Sequence, residues 1–530
     1  MIHSRSRFSL IFFAIIVLAG CVTMPPGSYY PKTESTAFAH PEQTRLGRQL
    51  DARVKEHPGL TGIRLFPQGI DGFLVRAETT AAAERSLDIQ YFRIQNDDTG
   101  KLLMDAVLRA ADRGVRVRLL VDDTDDIGRD RQITALAAQP NVEVRVFNPF
   151  VSRGVFSFLR YPEFALTASR LNYRMHNKLF VVDNSLAIIG GRNVGDEYFQ
   201  ASEKTEFGDF DVLVAGAAVK PLSASFDAYW NSELAIPIQA LTIFKPGAQA
   251  LQSYRAALAE NRTKMEDTEY VRRLKANDPF NGILAGATAL VWAKAEVLYD
   301  SPEKGKVEAG DQAGRLMRVR VGQAIRDAKS ELLIVSPYFV PGDGGVKLLK
   351  GVRDRHVRVR VITNSLASTD MPIAHAGYQH YRVPLLEDGV ELYEVRPLLG
   401  EPDGKAGSLK SPSSGRYALH AKIFVFDRQR LFIGSMNFDR RSLRLNTEAG
   451  LLIDSPQLAR QLGARFDAIA QPANSYVLAL GAPDVTGHRP LIWRTEESGR
   501  IVESEIEPMG SLLRGVKAEM LTLLPIDDLL

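Results

Sequence analysis

A single cysteine, Cys21, stands in a chain of 530 residues. No disulfide within the chain is possible, and no thiolate cluster can form to hold a metal. Charge of one sign is also short of any excess. The 66 Lys and Arg face 63 Asp and Glu, for a formal net charge of +3. A dedicated nucleic-acid binder carries a stronger basic bias, or gathers it on one face, so nucleic acid is not expected as a partner. Long apolar runs are missing after the first twenty residues, which excludes a multi-span membrane protein. Composition is otherwise ordinary, 45% hydrophobic and 24% charged, which excludes disorder and collagen-like repeats. The length implies two or more domains.

The lone cysteine sits where it is informative. Arg5 and Arg7 make a positive start, and Phe8 to Ala19 is an apolar run too short to span a bilayer as a stable helix. Leu18-Ala19-Gly20-Cys21 follows, and it resembles a bacterial lipobox, in which cleavage leaves a lipid-modified cysteine as the new N-terminus. Residues 1–20 then read as a lipoprotein signal peptide and 21–45 as a Pro-rich tether. This makes Cys21 the lipidation site and the membrane a partner through that anchor. Val22, rather than Asp, after the cysteine resembles outer-membrane sorting, on the periplasmic side of a Gram-negative cell.

The rest of the chain repeats once. Gly114-Val-Arg-Val-Arg-Leu-Leu-Val-Asp-Asp matches His356-Val-Arg-Val-Arg-Val-Ile-Thr-Asn-Ser, and Asn141-Val-Glu-Val-Arg-Val matches Gly389-Val-Glu-Leu-Tyr-Glu, at offsets of 242 to 248 residues. Two copies of one fold are the simplest account. Within each, short β-rich runs alternate with helical periodicity: strand Ser86 to Phe92, helix Lys101 to Arg113, strand Val115 to Val121, helix Gln132 to Ala138, strand Val142 to Phe147. That order implies an α/β sheet with helices on its faces. The copies are placed at 46–240 and 315–480. The segment 241–314 is an irregular connector, partly helical around Gln252 to Ala276. An extension, 481–530, ends in an apolar tail that packs back on the body.

At matching points of the two copies stand Met175-His176-Asn-Lys178-Leu-Phe-Val-Val-Asp183 and Leu419-His420-Ala-Lys422-Ile-Phe-Val-Phe-Asp427. Each is followed six residues later by a Gly-Gly-Arg-Asn193 or Gly-Ser-Met-Asn437 turn. One HxKxxxxD arises by chance at roughly one position in ten thousand for average composition. Two in register with a duplication do not arise that way. If both motifs are strands, His and Lys share a face and the Asp points to the other. Asp183 and Asp427 are then structural. The glycines let the backbone approach a phosphate, and the Asn amides add donors.

These motifs resemble the phospholipase D superfamily, and more narrowly its bacterial cardiolipin-synthase-like lipoproteins. The resemblance implies two similar α/β units, each a mixed sheet flanked by helices, packed face to face around one active site. It implies His176 as nucleophile and His420 as general acid, which is reasonable for imidazoles with pKa near about 6.5. Lys178, Lys422, Asn193 and Asn437 hold the phosphate oxygens. No metal or other cofactor is implied. Each histidine needs a carboxylate on its other nitrogen. The family's positions match Asp209, with Asp211 competing, and Glu448. Other candidates are Tyr91-Phe92 and Tyr338-Phe339 at a lipid entrance or in the core, His375 and Arg382 on one helical face, contacting a headgroup or capping and solvating that helix, and Arg440-Arg441, read as a solvated pair ahead of a phosphate contact. The substrates implied are phospholipids, and no protein partner can be named. Transfer of a phosphatidyl group to a second lipid, making cardiolipin, ranks ahead of hydrolysis to phosphatidic acid. A periplasmic nuclease ranks below both.

Overall fold

The computed structural model describes residues 24–124, 130–242, 247–304, 317–399, 416–487 and 489–508. Cys21 and the apolar tail from Met520 to Leu530 lie outside them. In the first half the strands are β1 (Thr61–Phe66), β2 (Ser86–Tyr91), β3 (Arg116–Asp122), β4 (Val142–Phe147), β5 (Leu179–Val182), β6 (Leu186–Gly190), β7 (Thr205–Gly208), β8 (Asp211–Gly216) and β9 (Ala235–Pro237). Hydrogen bonding orders eight of them β9-β4-β3-β2-β5-β6-β8-β1. The central pairs β2–β3 and β3–β4 are parallel. Their crossovers are helices, as parallel pairing demands. One is Asp98–Asp112, where the Asp97 side chain accepts the Gly100 N–H as N-cap and Leu103, Val107 and Ala110 are buried.

After β10 (Val291–Tyr299), β11 (Glu331–Val335), β12 (Phe339–Val340), β13 (Arg358–Asn364), β14 (Glu391–Val395), β15 (Arg416–Leu419), β16 (Ile423–Phe426), β17 (Arg430–Gly434), β18 (Phe438–Asp439), β19 (Ala449–Asp454) and β20 (Ser475–Leu480), the order is β20-β14-β13-β11-β16-β17-β19-β10. Position by position this repeats the first half, and β10 occupies the place of β1. The segment 241–314, read from sequence as irregular, therefore holds the opening strand of the second sheet. β10 alternates with a period of two: Val291, Ala293, Ala295, Val297 and Tyr299 face the shared core, and Lys294 and Glu296 are exposed. The helical expectation there is met by Ala248–Met265 and Glu269–Lys275.

The halves meet in two ways. β1 and β10 pair antiparallel, Thr61 opposite Ala293, so the two sheets join edge to edge. Their inner faces also share one apolar core. Leu179, Val181, Val212 and Trp230 from the first half pack with Ile423, Val425, Leu451 and Phe466 from the second. The alternate residues Phe180, Val182, Phe424 and Phe426 face the outer helices, as the period of two requires. Beyond β20 the chain adds β21 (Leu491–Glu497) and β22 (Arg500–Ser504) to the sheet edge. Glu507 then accepts from His375 Nε2 at 2.6 Å and pairs with Arg382, which also reaches Glu394 at 2.9 Å. His375 and Arg382 are buried anchors for this extension, neither solvated nor turned to a substrate. Among the described residues no helix is long and apolar enough to cross a membrane.

Asp211, a rival for a place in the site, is a core clamp instead. Fully buried, it accepts from Arg76 at 2.7 and 2.8 Å and from Arg192 at 3.1 Å. Removing it leaves two buried guanidinium groups unpaired, a loss typically worth about 3–5 kcal/mol. Asp211→Ala is expected to lower the urea midpoint accordingly. A change within error in that titration would contradict the clamp.

Candidate functional site

The strands of the two motifs begin at Leu179 and Ile423, three residues after each histidine. His176 to Lys178 and His420 to Lys422 are the segments that enter those strands. The motif aspartates lie past the strand ends, in tight hairpin turns with positive φ at two successive residues: Asp183 and Asn184, Asp427 and Arg428. Their side chains cap the start of a neighbouring strand. Asp183 accepts the N–H groups of Glu84, Arg85 and Ser86, and Asp427 those of Lys329, Ser330 and Glu331. Each aspartate thus holds the start of a neighbouring strand, and the strand parity expected of them does not apply. The histidines precede the strands, so strand parity does not relate them to the aspartates.

What fixes the histidines is the other half of the molecule. His176 Nδ1 lies 2.8 Å from Glu448 Oε2, and His420 Nδ1 lies 2.6 Å from Asp209 Oδ2. Each half lends its acid to the other half's imidazole. Backbone ladders enforce the exchange. β15 runs parallel to β7, which brings the His420 N–H to the Gly208 carbonyl at 2.8 Å. Met175 bridges Thr447, and the His176 N–H donates to the Thr447 carbonyl at 2.9 Å. The residue before each histidine is pinned by an equivalent side chain at a strand end. Asp122 accepts the Met175 N–H at 2.8 Å, and Asn364 accepts the Leu419 N–H at 2.8 Å.

The lysines fold back on their own motifs. Lys178 Nζ donates to the His176 carbonyl at 2.6 Å, and Lys422 Nζ to that of His420. Phe92 and Tyr338 take equivalent places over them, 5.3 and 5.9 Å from the ammonium groups. Phe92 stands edge-on to His176 at 5.0 Å; Tyr198 and Tyr338 do so to His420 at 5.1 and 6.4 Å. Of the paired aromatics, Tyr91 and Phe339 are therefore core, whereas Phe92 and Tyr338 wall the site. Asn193 Nδ2 donates to Tyr198 Oη at 2.9 Å, and the Oδ1 atoms of Asn193 and Asn437 are buried with no hydrogen-bond partner. These amides are not yet aimed as donors; a half-turn exchanges O and N. Arg441 is half-buried and reaches the Asn172 carbonyl at 3.3 Å.

Gly191 explains itself against Asp209. A Cβ there would stand 2.3 Å from Asp209 Oδ1, so the missing side chain is room for the carboxylate. The second half places Ser435 at that point, and its Oγ donates to Glu448 Oε2. Ser442 Oγ donates to the other oxygen at 2.8 Å.

Burial dominates the electrostatics. Desolvation lowers the pKa of His176 to about 4 against the pull of Glu448, with Lys178 and Lys422 adding to the fall. His420 drops to about 3 through desolvation, then Lys422, against Asp209. Each imidazole feels the other half's lysine, so the two motifs share one pocket. Desolvation brings Lys422 down to about 8 and Lys178 well below its ordinary value. Burial alone would raise Asp209 and Glu448, yet the imidazole hydrogen bonds and lysines outweigh it and hold both low.

A family model described as cardiolipin synthase, PLD-like domain, matches residues 77–230 and 321–470. The chain belongs to the cardiolipin synthase family of phospholipase-D-like proteins. It is an enzyme of the phospholipase D type. Cardiolipin synthase C of Escherichia coli K12 is 37% identical over 487 residues, covering 92% of this chain and all of that one. An uncharacterized Helicobacter pylori protein is 30% identical over 529 residues, covering 99% and 100%. A phosphatidylserine synthase from Haemophilus influenzae shares the fold at a TM-score of 0.52 with 16% identity, covering 82% of this chain and 92% of that one.

Some residues that build this phospholipase-D-like site escaped the sequence reading. Asp300 accepts the Glu448 N–H at 3.2 Å, and Lys304 ties Asp300 to the Ser442 and Asn446 carbonyls at 2.7 Å each. They sit next to β10, in the stretch taken for a connector. Tyr198 carried no repeat signal. Asp122 and Asn364 did, since they are aligned in the duplicated strands.

Both imidazoles have pKa values depressed below the unfolded value of about 6.5. The stability they contribute is full above pH 6.5 and is lost as pH falls through about 4 to 3. The difference in unfolding free energy between the native protein and a His176→Gln/His420→Gln variant should fall as pH drops from 7 to 4. A pH-independent difference would contradict the buried neutral imidazoles.

Proposed function

We propose that the protein is a phosphatidyltransferase that makes cardiolipin from phosphatidylglycerol and a second phospholipid, joining a phosphatidyl group to the glycerol of another lipid through a phosphohistidine. The observation that carries the reading is the crossed pair of imidazole–carboxylate hydrogen bonds. With Nδ1–H given to an acid, Nε2 of each ring holds the free lone pair, which is the tautomer a nucleophile or a general base requires.

The reaction then runs in two displacements. His176 Nε2 forms a bond to phosphorus while the phosphorus–oxygen bond to the departing alcohol breaks, and His420 gives its Nε2 proton to that oxygen. In the second step the hydroxyl of the acceptor lipid passes its proton to His420 and attacks phosphorus, and the phosphorus–nitrogen bond breaks. His420 must be protonated for the first step, although burial by itself keeps it neutral. A bound phosphodiester supplies a negative charge beside it, which favours the charged form. Lys178 and Lys422 offset charge on the non-bridging oxygens.

The names of the relatives support phosphatidyl transfer over nuclease chemistry. Hydrolysis uses the same residues and differs only in whether water or a lipid hydroxyl reaches phosphorus. The membrane context of this proposal is a lipid anchor on Cys21, facing the periplasm from the outer membrane.

Incubation with labelled phosphatidylglycerol, alone and with phosphatidylethanolamine, followed by lipid mass spectrometry, tests the reading. Cardiolipin supports it, phosphatidic acid alone replaces transfer with hydrolysis, and DNA cleavage without a lipid product sinks it. His176→Ala and His420→Ala should each abolish product while the circular dichroism spectrum is unchanged. EDTA should leave turnover as it was. Gly191→Ala, which pushes Asp209 from His420, should cost about 10- to 100-fold in turnover, the usual effect of losing an orienting partner. Unchanged turnover in that variant would remove Asp209 from the mechanism.

A further inference from the structure

Between β4 and the first motif the chain turns its ordinary polarity inside out. Residues Gly154–Leu159 form a 3-10 helix and Arg160–Leu171 an α-helix. The charged side chains along the outer part of this stretch point inward. Arg153 pairs with Asp123 and Asp130, Arg160 with Asp123, and Glu163 accepts the N–H groups of Val151 and Ser152 at 2.7 and 2.8 Å. Facing outward are Val151, Phe156, Phe158, Leu159, Tyr161 and Leu166, between 41% and 81% exposed. From Val151 to Ser169, no exposed residue among those described carries a charge; the others are Gly, Pro, Ala and Ser. A water-facing surface ordinarily shows the reverse, and contiguous exposed apolar patches mark docking surfaces.

We infer that this segment is a bilayer-docking surface, which seats Val151 to Leu166 among lipid acyl chains and headgroups beside the active site. It rests on the reading of the substrate as a membrane phospholipid. Two observations choose a lipid surface over another partner. First, an outward face without any charge suits the apolar side of the interface, and its aromatic residues suit the headgroup boundary. A protein interface of this make-up would still present a polar rim. Second, the chain outside the described residues ends close by. From Met24 onward the tether is packed on the body. Ser28 donates to the Pro25 carbonyl, and Lys32 Nζ donates to the carbonyls of Ser232 and Ala235. Ala235 pairs with Phe147 at the end of β4, and the Asn148 N–H donates to the Leu234 carbonyl. Val151 is three residues further on. Six residues from Cys21 to Gly27 span at most about 20 Å. A lipid on Cys21 therefore holds this end of the first half at the bilayer, where Met24, Tyr29 and Tyr30 are also exposed.

The patch also leads into the chemistry. His176 lies ten positions after Leu166, and Arg174 and Met175 are fixed to Asp122, which neighbours the Asp123 that holds Arg153 and Arg160. Seating the segment in the bilayer places the pocket mouth at headgroup depth. A phospholipid then need not leave the membrane to reach His176.

The full lipidated chain carrying Phe158→Trp, reconstituted in phosphatidylglycerol–phosphatidylethanolamine vesicles with brominated acyl chains, tests the inference. Emission from the introduced indole should be quenched beyond the level of the unsubstituted chain, whose own tryptophans are Trp230, Trp292 and Trp493. Quenching equal to that background overturns it. So does a chain that is dimeric in detergent and becomes monomeric on substitution of the patch while the introduced indole stays unquenched. A Phe156→Ser/Phe158→Ser/Leu166→Ser variant should lose about tenfold or more of its turnover on vesicles and keep its turnover on monomeric short-chain phosphatidylglycerol. Equal loss on both substrates overturns the inference. If neither chain turns over any phospholipid, the proposed function fails, and the quenching alone decides whether the surface docks.

Discussion

Two hydrogen bonds organise this molecule: His176 to Glu448 and His420 to Asp209. Neither partner lies in the same half as its imidazole. An active site held this way exists only when both halves are folded and docked, since each half alone has an imidazole without its acid. The rest of the interface serves that exchange. The β7–β15 ladder and the Met175–Thr447 bridge set the height of each histidine against the facing acid. The β1–β10 pairing joins the sheets so that these ladders meet. The Asp300–Lys304 pair, set beside β10, holds the Glu448 backbone and the short helix Arg440–Arg444 that carries Ser442.

The duplication is close to two-fold in fold and departs from it in the support of the two acids. Glu448 is held by Ser435 and Ser442. Asp209 has a glycine at the corresponding place and takes a backbone N–H from Phe210 at 2.7 Å. The shorter carboxylate reaches its imidazole only because Gly191 leaves space. Asp211 belongs to the same asymmetry. It needs Arg76 and Arg192 around it, whereas the equivalent strand position in the second half is Gly450, opposite Gly434. Two copies of a motif thus give two imidazoles in different surroundings, the condition for unlike roles in one reaction.

Much of this was legible in the sequence because it depended on local pattern. The repeat, the strand–helix alternation and the paired motifs all follow from residues near one another in the chain. Asp209 and Glu448 came from the family resemblance, which implies an acid downstream of each motif, and Asp211 competed with Asp209. The crossing was not legible, since it is a property of docking between segments more than two hundred residues apart. β10 carries a period of two of its own, Val291 to Tyr299 with Lys294 and Glu296 outward, but it stands outside the stretches that the two copies visibly share in sequence. His375 and Arg382 looked like a helical face because the segment around Glu507 that buries them is distant in sequence and has no pattern of its own.

Burial is what makes the site responsive to its ligand. Desolvation keeps both imidazoles neutral and lowers both lysines. The two acids already balance what positive charge remains. An uncharged ligand leaves that balance as it is and provides no proton for a leaving group. A phosphodiester brings one negative charge into a low-dielectric space between two lysines and two imidazoles, where its influence is greatest. The natural response is uptake of a proton by one ring and full charging of the lysines. The proposed mechanism needs one ring protonated, and the charge of a phosphodiester would favour that form over the neutral imidazoles of the resting site.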